Sequence, residues 1–256
     1  MKRICLSLSL IFIFCQLSTG CLANDLTGTE IILQVNELLN QDSAFSRSRM
    51  TIQTSSGQLR TFEFLAWAKD RGQKNLIRYT APPRAQGQAV LMLNNADDIW
   101  MYFPRTKRVR KLATHAKKQK MQGSDFSYED MGSGETFITD FTSLRLEDDV
   151  LNEKTCYKLR LDRKPGVDSS YLKVIMWVRK EDLFPLLIHY YEEGYPDTLS
   201  KSMILEDIRI IQGIPTAMKM TMNGSLDFTQ TTMELLEIDY ELNIEDSRFT
   251  ERALRE

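Results

Sequence analysis

Two histidines, His115 and His189, are all the imidazole that the chain carries. His115 sits in a basic stretch and His189 inside a run that alternates like a strand, so neither has the company that a zinc site or a Ser-His-Asp constellation needs. No Gly-rich phosphate loop and no CxxC pair occurs. Asp125, Glu129 and Asp130 are close enough in sequence to offer a carboxylate pair for hydrolysis. Three acids on one short segment are more often caps and solvated charges, so the expectation is a protein that is not an enzyme, with no cofactor and no metal.

Residue types suited to binding are more prominent. Met218, Met220 and Met222 alternate with Ala217, Lys219 and Thr221, which predicts that all three thioethers line one face of a strand. Flexible, polarizable methionines suit variable apolar ligands, and they also fill ordinary cores; both readings stay open. Trp67, Trp100, Tyr102, Trp177 and Tyr190 add large apolar area on other predicted strands, without parity showing which of them face inward. Arg105, Lys107, Arg108, Arg110, Lys111, Lys117, Lys118 and Lys120 form a basic run without an acid. That run fits contact with anionic headgroups or an acidic partner, or a solvated loop.

The elements that must position these residues are mostly strands. Thr27 to Asn40 reads as an amphipathic helix with Ile31, Ile32, Val35, Leu38 and Leu39 on one face and a capping box from Thr27 to Glu30. Strands are predicted around Met50–Ile52, at Leu59–Lys69, Lys74–Thr80, Ala89–Leu93 and Ile99–Phe103. They resume at Leu144–Val150, Cys156–Arg163, Tyr171–Arg179, Leu186–Glu192, Ser200–Ile211, Thr216–Asn223 and Leu226–Leu242. Hairpin turns between them argue for a large antiparallel sheet that curls on itself. A helical turn is expected at Ser124–Met131 within an irregular segment between Lys111 and Leu144, and a short helix at Ser247–Arg255.

Composition agrees with a single globular domain. The 256 residues are 42% hydrophobic and 27% charged, with only 12 Gly and 7 Pro, which excludes disorder and low-complexity repeats. A formal charge of −2 gives no global pull towards nucleic acid. Met1-Lys2-Arg3, the apolar run Ile4–Leu17 and the small residues after it read as a secretory signal peptide, too short to span a bilayer. The expected division is a signal peptide at 1–23 and one domain at 24–256, exported to the periplasm, with Asn24 as the new N-terminus. The alternative is a lipid anchor on Cys21. In the soluble form only Cys156 remains, as a buried thiol or a reactive one, and no internal disulfide is possible.

The segment Met121-Gln-Gly-Ser-Asp-Phe-Ser-Tyr-Glu-Asp-Met131 resembles a signature of the outer-membrane lipoprotein-sorting protein family related to LolA. The Trp100–Pro104 strand with the basic stretch Lys107–Lys111, Trp177-Val178 followed by Pro185-Leu186, and the ending Phe249-Thr250-Glu251-Arg252 match as well. The resemblance implies a mainly β fold: an incomplete, half-open antiparallel β-barrel, with an N-terminal helix and short helices covering a concave apolar face that encloses acyl chains. It implies a periplasmic carrier of lipid or lipoproteins towards the outer membrane, or else a lipid- or lipoprotein-sensing accessory of an envelope complex. The partners would be acyl chains and an inner-membrane transporter of the RND type or an outer-membrane acceptor, with no nucleic acid. On this reading Trp67, Trp100, Tyr102, Trp177, Met218, Met220 and Met222 line the cavity. Gly123, Ser124, Asp125, Phe126, Tyr128, Glu129, Asp130 and Met131 shape or gate its mouth, and the basic run meets headgroups or partner.

Overall fold

The computed structural model describes residues 26–132 and 134–256. The leader read at 1–23, with Cys21 and Asn24, lies outside the described residues. Helix α1 (Gly28–Leu39) starts where the capping box places it: the Thr27 amide donates to Glu30 Oε2 at 2.8 Å and the Glu30 amide donates to Thr27 Oγ1 at 3.2 Å. These bonds satisfy two of the donors that a helix N-terminus leaves unpaired.

Six strands follow: β1 (Ser43–Gln53), β2 (Leu59–Lys69), β3 (Lys74–Ala81), β4 (Ala89–Leu93), β5 (Asp98–Phe103) and β6 (Arg108–Lys111). The irregular middle holds two 3₁₀ turns and the short helices α2 (Tyr128–Gly132) and α3 (Thr136–Thr139). Eight more strands complete the chain: β7 (Phe141–Arg145), β8 (Asp149–Leu151), β9 (Lys154–Arg163), β10 (Tyr171–Arg179), β11 (Pro185–Glu192), β12 (Lys201–Ile211), β13 (Ile214–Gly224) and β14 (Thr229–Asp239).

All pairings are antiparallel in one sheet of order β6-β5-β4-β3-β2-β1-β14-β13-β12-β11-β10-β9-β7, with β8 added beside β9. The β1–β14 ladder joins the two halves, and the sheet does not close. One apolar cluster contains Ile31, Ile32 and Val35 of α1, Phe64 of β2, Leu159 of β9 and Met233 of β14, so the sheet curls around the face that α1 and the middle segment cover. This is the half-open, helix-covered antiparallel barrel of the sequence reading. Gly28 lets α1 approach β7 closely, because a Cβ there would stand 2.7 Å from the Arg145 amide nitrogen.

Three expected elements are shorter or different. The strand expected at Leu144–Val150 is divided, with β7 ending at Arg145 and β8 beginning at Asp149, because the chain bends between them where Arg145 holds Asp148 at 3.0 Å. Strand β14 starts at Thr229 because 225–228 make the turn from β13, with Phe228 at φ 53°. The helix expected at Ser247–Arg255 is two 3₁₀ turns, Asp246–Arg248 and Ala253–Arg255. The physical reason is that Ile244, Phe249 and Leu254 anchor this tail on the outer face of the sheet, in a second cluster with Trp67, Leu76, Ala89 and Leu91. Their spacing of five does not fit one helical stripe.

A buried carboxylate strap over an apolar cavity

The segment Gly123–Met131 crosses the helix-covered face as a strap, and its three acids are the fastenings. Asp125, 3% exposed, accepts from Thr231 Oγ1 at 2.7 Å and from Thr229 Oγ1, both on β14, while its amide donates back to Thr231 Oγ1 at 2.9 Å. Gly224 on β13 leaves the room for this: a Cβ there would lie 2.6 Å from both Asp125 Oδ1 and Thr229 Oγ1. Glu129 accepts from Ser169 Oγ at 2.5 Å, from Ser170 Oγ at 2.6 Å and from the Ser170 amide at 3.1 Å.

Asp130 is held by an ammonium as well as by neutral donors. One oxygen takes the Tyr171 hydroxyl at 2.6 Å; the other takes the Ser127 amide at 2.6 Å and the Lys201 ammonium at 2.6 Å. Lys201 also reaches the Asp125 carbonyl at 3.3 Å and stands 5.0 and 5.4 Å from the Tyr171 and Tyr190 ring centroids. Burial, with Asp130 and Glu129 nearby, pushes both phenols well above their ordinary range. A carboxylate with its acceptor sites filled by hydroxyls, amides and an ammonium is stabilised where it sits. What this arrangement can do is hold the strap against three different strands.

Ser124, Phe126 and Tyr128 are buried within the strap, Phe126 and Tyr128 in the main core, and Met131 packs against that core. Gly123 takes φ +72°, the left-handed region that favours glycine, beside Arg60, whose Nη2 donates to the Gly123 carbonyl at 3.4 Å.

Between strap and sheet lies a cavity of about 290 Å³. Phe126, Met131 and Phe137 line it from the covering segment, and Ile188, Met203, Leu205, Met220 and Met233 line it from the sheet. Its polar lining consists mainly of Glu129, Asp130, Ser169, Tyr171 and Tyr190. Apolar walls with a few convergent polar groups are what small-molecule sites present.

The structure brings only part of the expected lining together. Met220 reaches the cavity and Met222 is fully buried in the core. Met218 does not share their face, because Ala217 joins the core in its place. The break falls opposite Asp207, where φ is 51° and the ladder skips the pair with Met218; the register is the same on either side, so both strands change face together there.

Trp67, Trp100 and Tyr102 belong to the outer cluster under the C-terminal tail, on the opposite face from the cavity. Trp177 lies on the face of β10 opposite Met176 and away from the cavity, where it is buried, donates from Nε1 to Asp149 at 2.9 Å and lies beside Lys158 and His189. Burial and the Lys158 charge lower the His189 pKa. Cys156 is fully buried, and burial pushes its thiol up, away from reactive thiolate. Among the described residues, no group of three or more His, Cys, Asp and Glu could hold a metal ion.

The basic run divides in two. Lys111 pairs with Asp98, Lys117 with Asp97, Lys118 with Asp168 and Lys120 with Asp227. Arg105, Lys107, Arg108 and Arg110 stay exposed around the β5–β6 hairpin. Lys201, Ser169, Ser170, Thr229 and Thr231 were not singled out in the sequence. Their partners lie 40 to 106 residues away, and a lysine opening a strand carries no mark of the carboxylate it will meet.

Residues 71–256 match the model of a family described as "Uncharacterized protein". The chain belongs to this family, and its fold is LolA-like. Among solved structures it is similar to a DUF1329 family protein from Desulfovibrio piger, at 24% identity and a TM-score of 0.80, covering 89% of this chain and 97% of that one. It is similar to an outer membrane lipoprotein-sorting protein domain from Vibrio parahaemolyticus at 22% identity and a TM-score of 0.80, covering 90% and 98%. A LolA superfamily protein from Nitrosomonas europaea matches at 18% identity and a TM-score of 0.74, covering 89% and 99%. No curated protein matches the chain. At these identities the LolA-like likeness is one of fold.

Proposed function

We propose that this LolA-like chain is a non-enzymatic carrier of lipid or lipoprotein acyl chains, exported to the periplasm with 1–23 as signal peptide and 24–256 as one lipid-binding domain. The observation that carries the reading is the apolar cavity between the curled sheet and the strap, into which Met203, Met220 and Met233 project. Burying a methylene there is worth about 0.8 kcal/mol, so part of one acyl chain gives useful affinity without polar chemistry. Two of the structural neighbours are described as a lipoprotein-sorting domain and a LolA superfamily protein, which supports the same class of cargo. The engagement of Asp125, Glu129 and Asp130 in fastening supports a binding role over hydrolysis. Cargo would pass between an inner-membrane transporter and an outer-membrane acceptor.

The test is native mass spectrometry of the mature protein purified from the envelope, with lipid extraction and titration with a fluorescent acyl probe. Co-purifying lipid or acylated peptide, and probe uptake that Leu205→Trp blocks, are the expected results. A protein that is reproducibly empty and refuses the probe would remove the carrier reading. The same mass separates an N-terminus at Asn24 from a lipidated Cys21.

A further inference from the structure

Strand directions place the β1–β2, β3–β4, β5–β6 and β13–β14 connections on one rim of the sheet. In register, Gln53 is flanked by Leu59 on one side and by Gln230 on the other, so the β1–β2 and β13–β14 tips are about two strand spacings apart, roughly 10 Å. These tips carry large apolar side chains in water. Phe228 is 84% exposed, Leu59 63% and Leu226 38%. Hairpin turns usually present small or polar residues, so apolar tips gathered on one rim mark an interaction surface.

Further along the same rim, the β5–β6 turn and the β3–β4 connection enclose a cationic pocket of about 420 Å³ lined by Arg84, Arg105 and Arg110 with Gln88, Thr106 and Phe103. The lining contains no carboxylate. Arg105, Lys107 and Arg108 have no acid partner among the described residues, unlike the paired Lys111, Lys117, Lys118 and Lys120. Asp227, at the β13–β14 tip, is already held by Lys120. Glu192 ends β11, and Glu193 and Asp197 lie on the β11–β12 connection, at the far half of the rim, where Arg163 takes Glu193. Guanidinium groups around an acid-free pocket suit a phosphate.

We propose that this half of the rim docks on an anionic bilayer: Phe228, Leu226 and Leu59 enter the headgroup boundary while Arg84, Arg105 and Arg110 seat a lipid phosphate. Apolar tips and unpaired cations side by side are both matched by such a surface, whereas an acidic soluble protein would match the cations and leave the apolar tips in water. The surface lies outside the cavity, so docking and cargo binding are separable properties.

The experiment is co-sedimentation of the mature protein with vesicles of phosphatidylcholine alone and of equal parts phosphatidylcholine and phosphatidylglycerol, at low and high salt. Expected is salt-sensitive binding to the anionic vesicles only, weakened about tenfold or more by Arg105→Gln with Arg110→Gln and by Leu226→Ser with Phe228→Ser. All four positions are at the rim and outside the core, so melting temperatures should hold and show that the variants are folded. Equal binding to both vesicles, no binding, or unchanged binding by the variants would overturn the proposal. So would saturation of the pocket by inorganic phosphate in calorimetry without any vesicle binding, which would make it a site for a free anion. Loss of docking with acyl-probe uptake intact removes only this inference; loss of uptake with docking intact removes only the carrier reading.

Discussion

The Lys201 ammonium and the Asp130 carboxylate meet at 2.6 Å with side chains only 9% and 6% exposed, and they tie the first residue of β12 to the end of the strap. Removing one member leaves the other charged and buried, which costs about 3–5 kcal/mol in comparable pairs. Lys201→Met is therefore expected to lower unfolding stability by that order, and Lys201→Met with Asp130→Asn to recover part of it. Urea melts of the three variants check this, and a double variant no better than the single would count against the coupling.

Asp149 supplies a pH dependence whose sign is determined. The Trp177 indole, then the Lys158 ammonium and the Val150 amide, hold its carboxyl down at about 2. A folded-state value below the unfolded one, near 4, means a contribution present above about pH 4 and lost as pH falls through about 2. Thermal melts at pH 5, 3 and 2, followed by tryptophan emission, should show Asp149→Asn losing less stability across that window than the parent. Parallel curves would contradict the assignment.

Gly28→Ala separates helix propensity from packing. Alanine is favoured over glycine inside helices by up to about 1 kcal/mol, but the new Cβ would meet backbone of β7 at 2.7 Å, and overpacking of this kind costs about 1–3 kcal/mol. A net loss of stability, read as a lower melting temperature, is the expected outcome. A rise would show that α1 can move off β7 freely.

Met220 and Met218 make a paired test of the cavity. Met220→Gln places an amide in the apolar lining and should weaken acyl-probe binding several-fold, whereas Met218→Gln, outside the core cluster, should leave it unchanged. Equal losses from both would show that the probe binds elsewhere.

Much of the fold is legible because its signals are local. Thr27 and Glu30 announce α1 from within four residues, and the run from Leu59 to Lys69 alternates along its own length and becomes β2. Parity tells which residues of a strand share a face, but not which cover that face receives. Trp67, Trp100 and Tyr102 fail to join Met220 for this reason: the β1–β6 half is covered on both sides, inside by α1 and the strap, outside by Ile244, Phe249 and Leu254. The strap's partners are equally illegible, since Glu129 meets Ser169 and Ser170, and Asp125 meets Thr229 and Thr231, only after the sheet has curled. Its acids read as surface caps because hydroxyl-rich strand ends give no advance sign of a carboxylate.

The ladder stops at β6 on one side, a four-residue edge with three cations that discourage stray pairing, and at β7 on the other. In a closed barrel the circumference is set by the strand count, and widening it means breaking a row of backbone hydrogen bonds. Here no row of interstrand hydrogen bonds joins the β6 and β7 margins, so none has to break for their separation to differ. The girth of the interior is then set by side-chain packing and not by a count of strands.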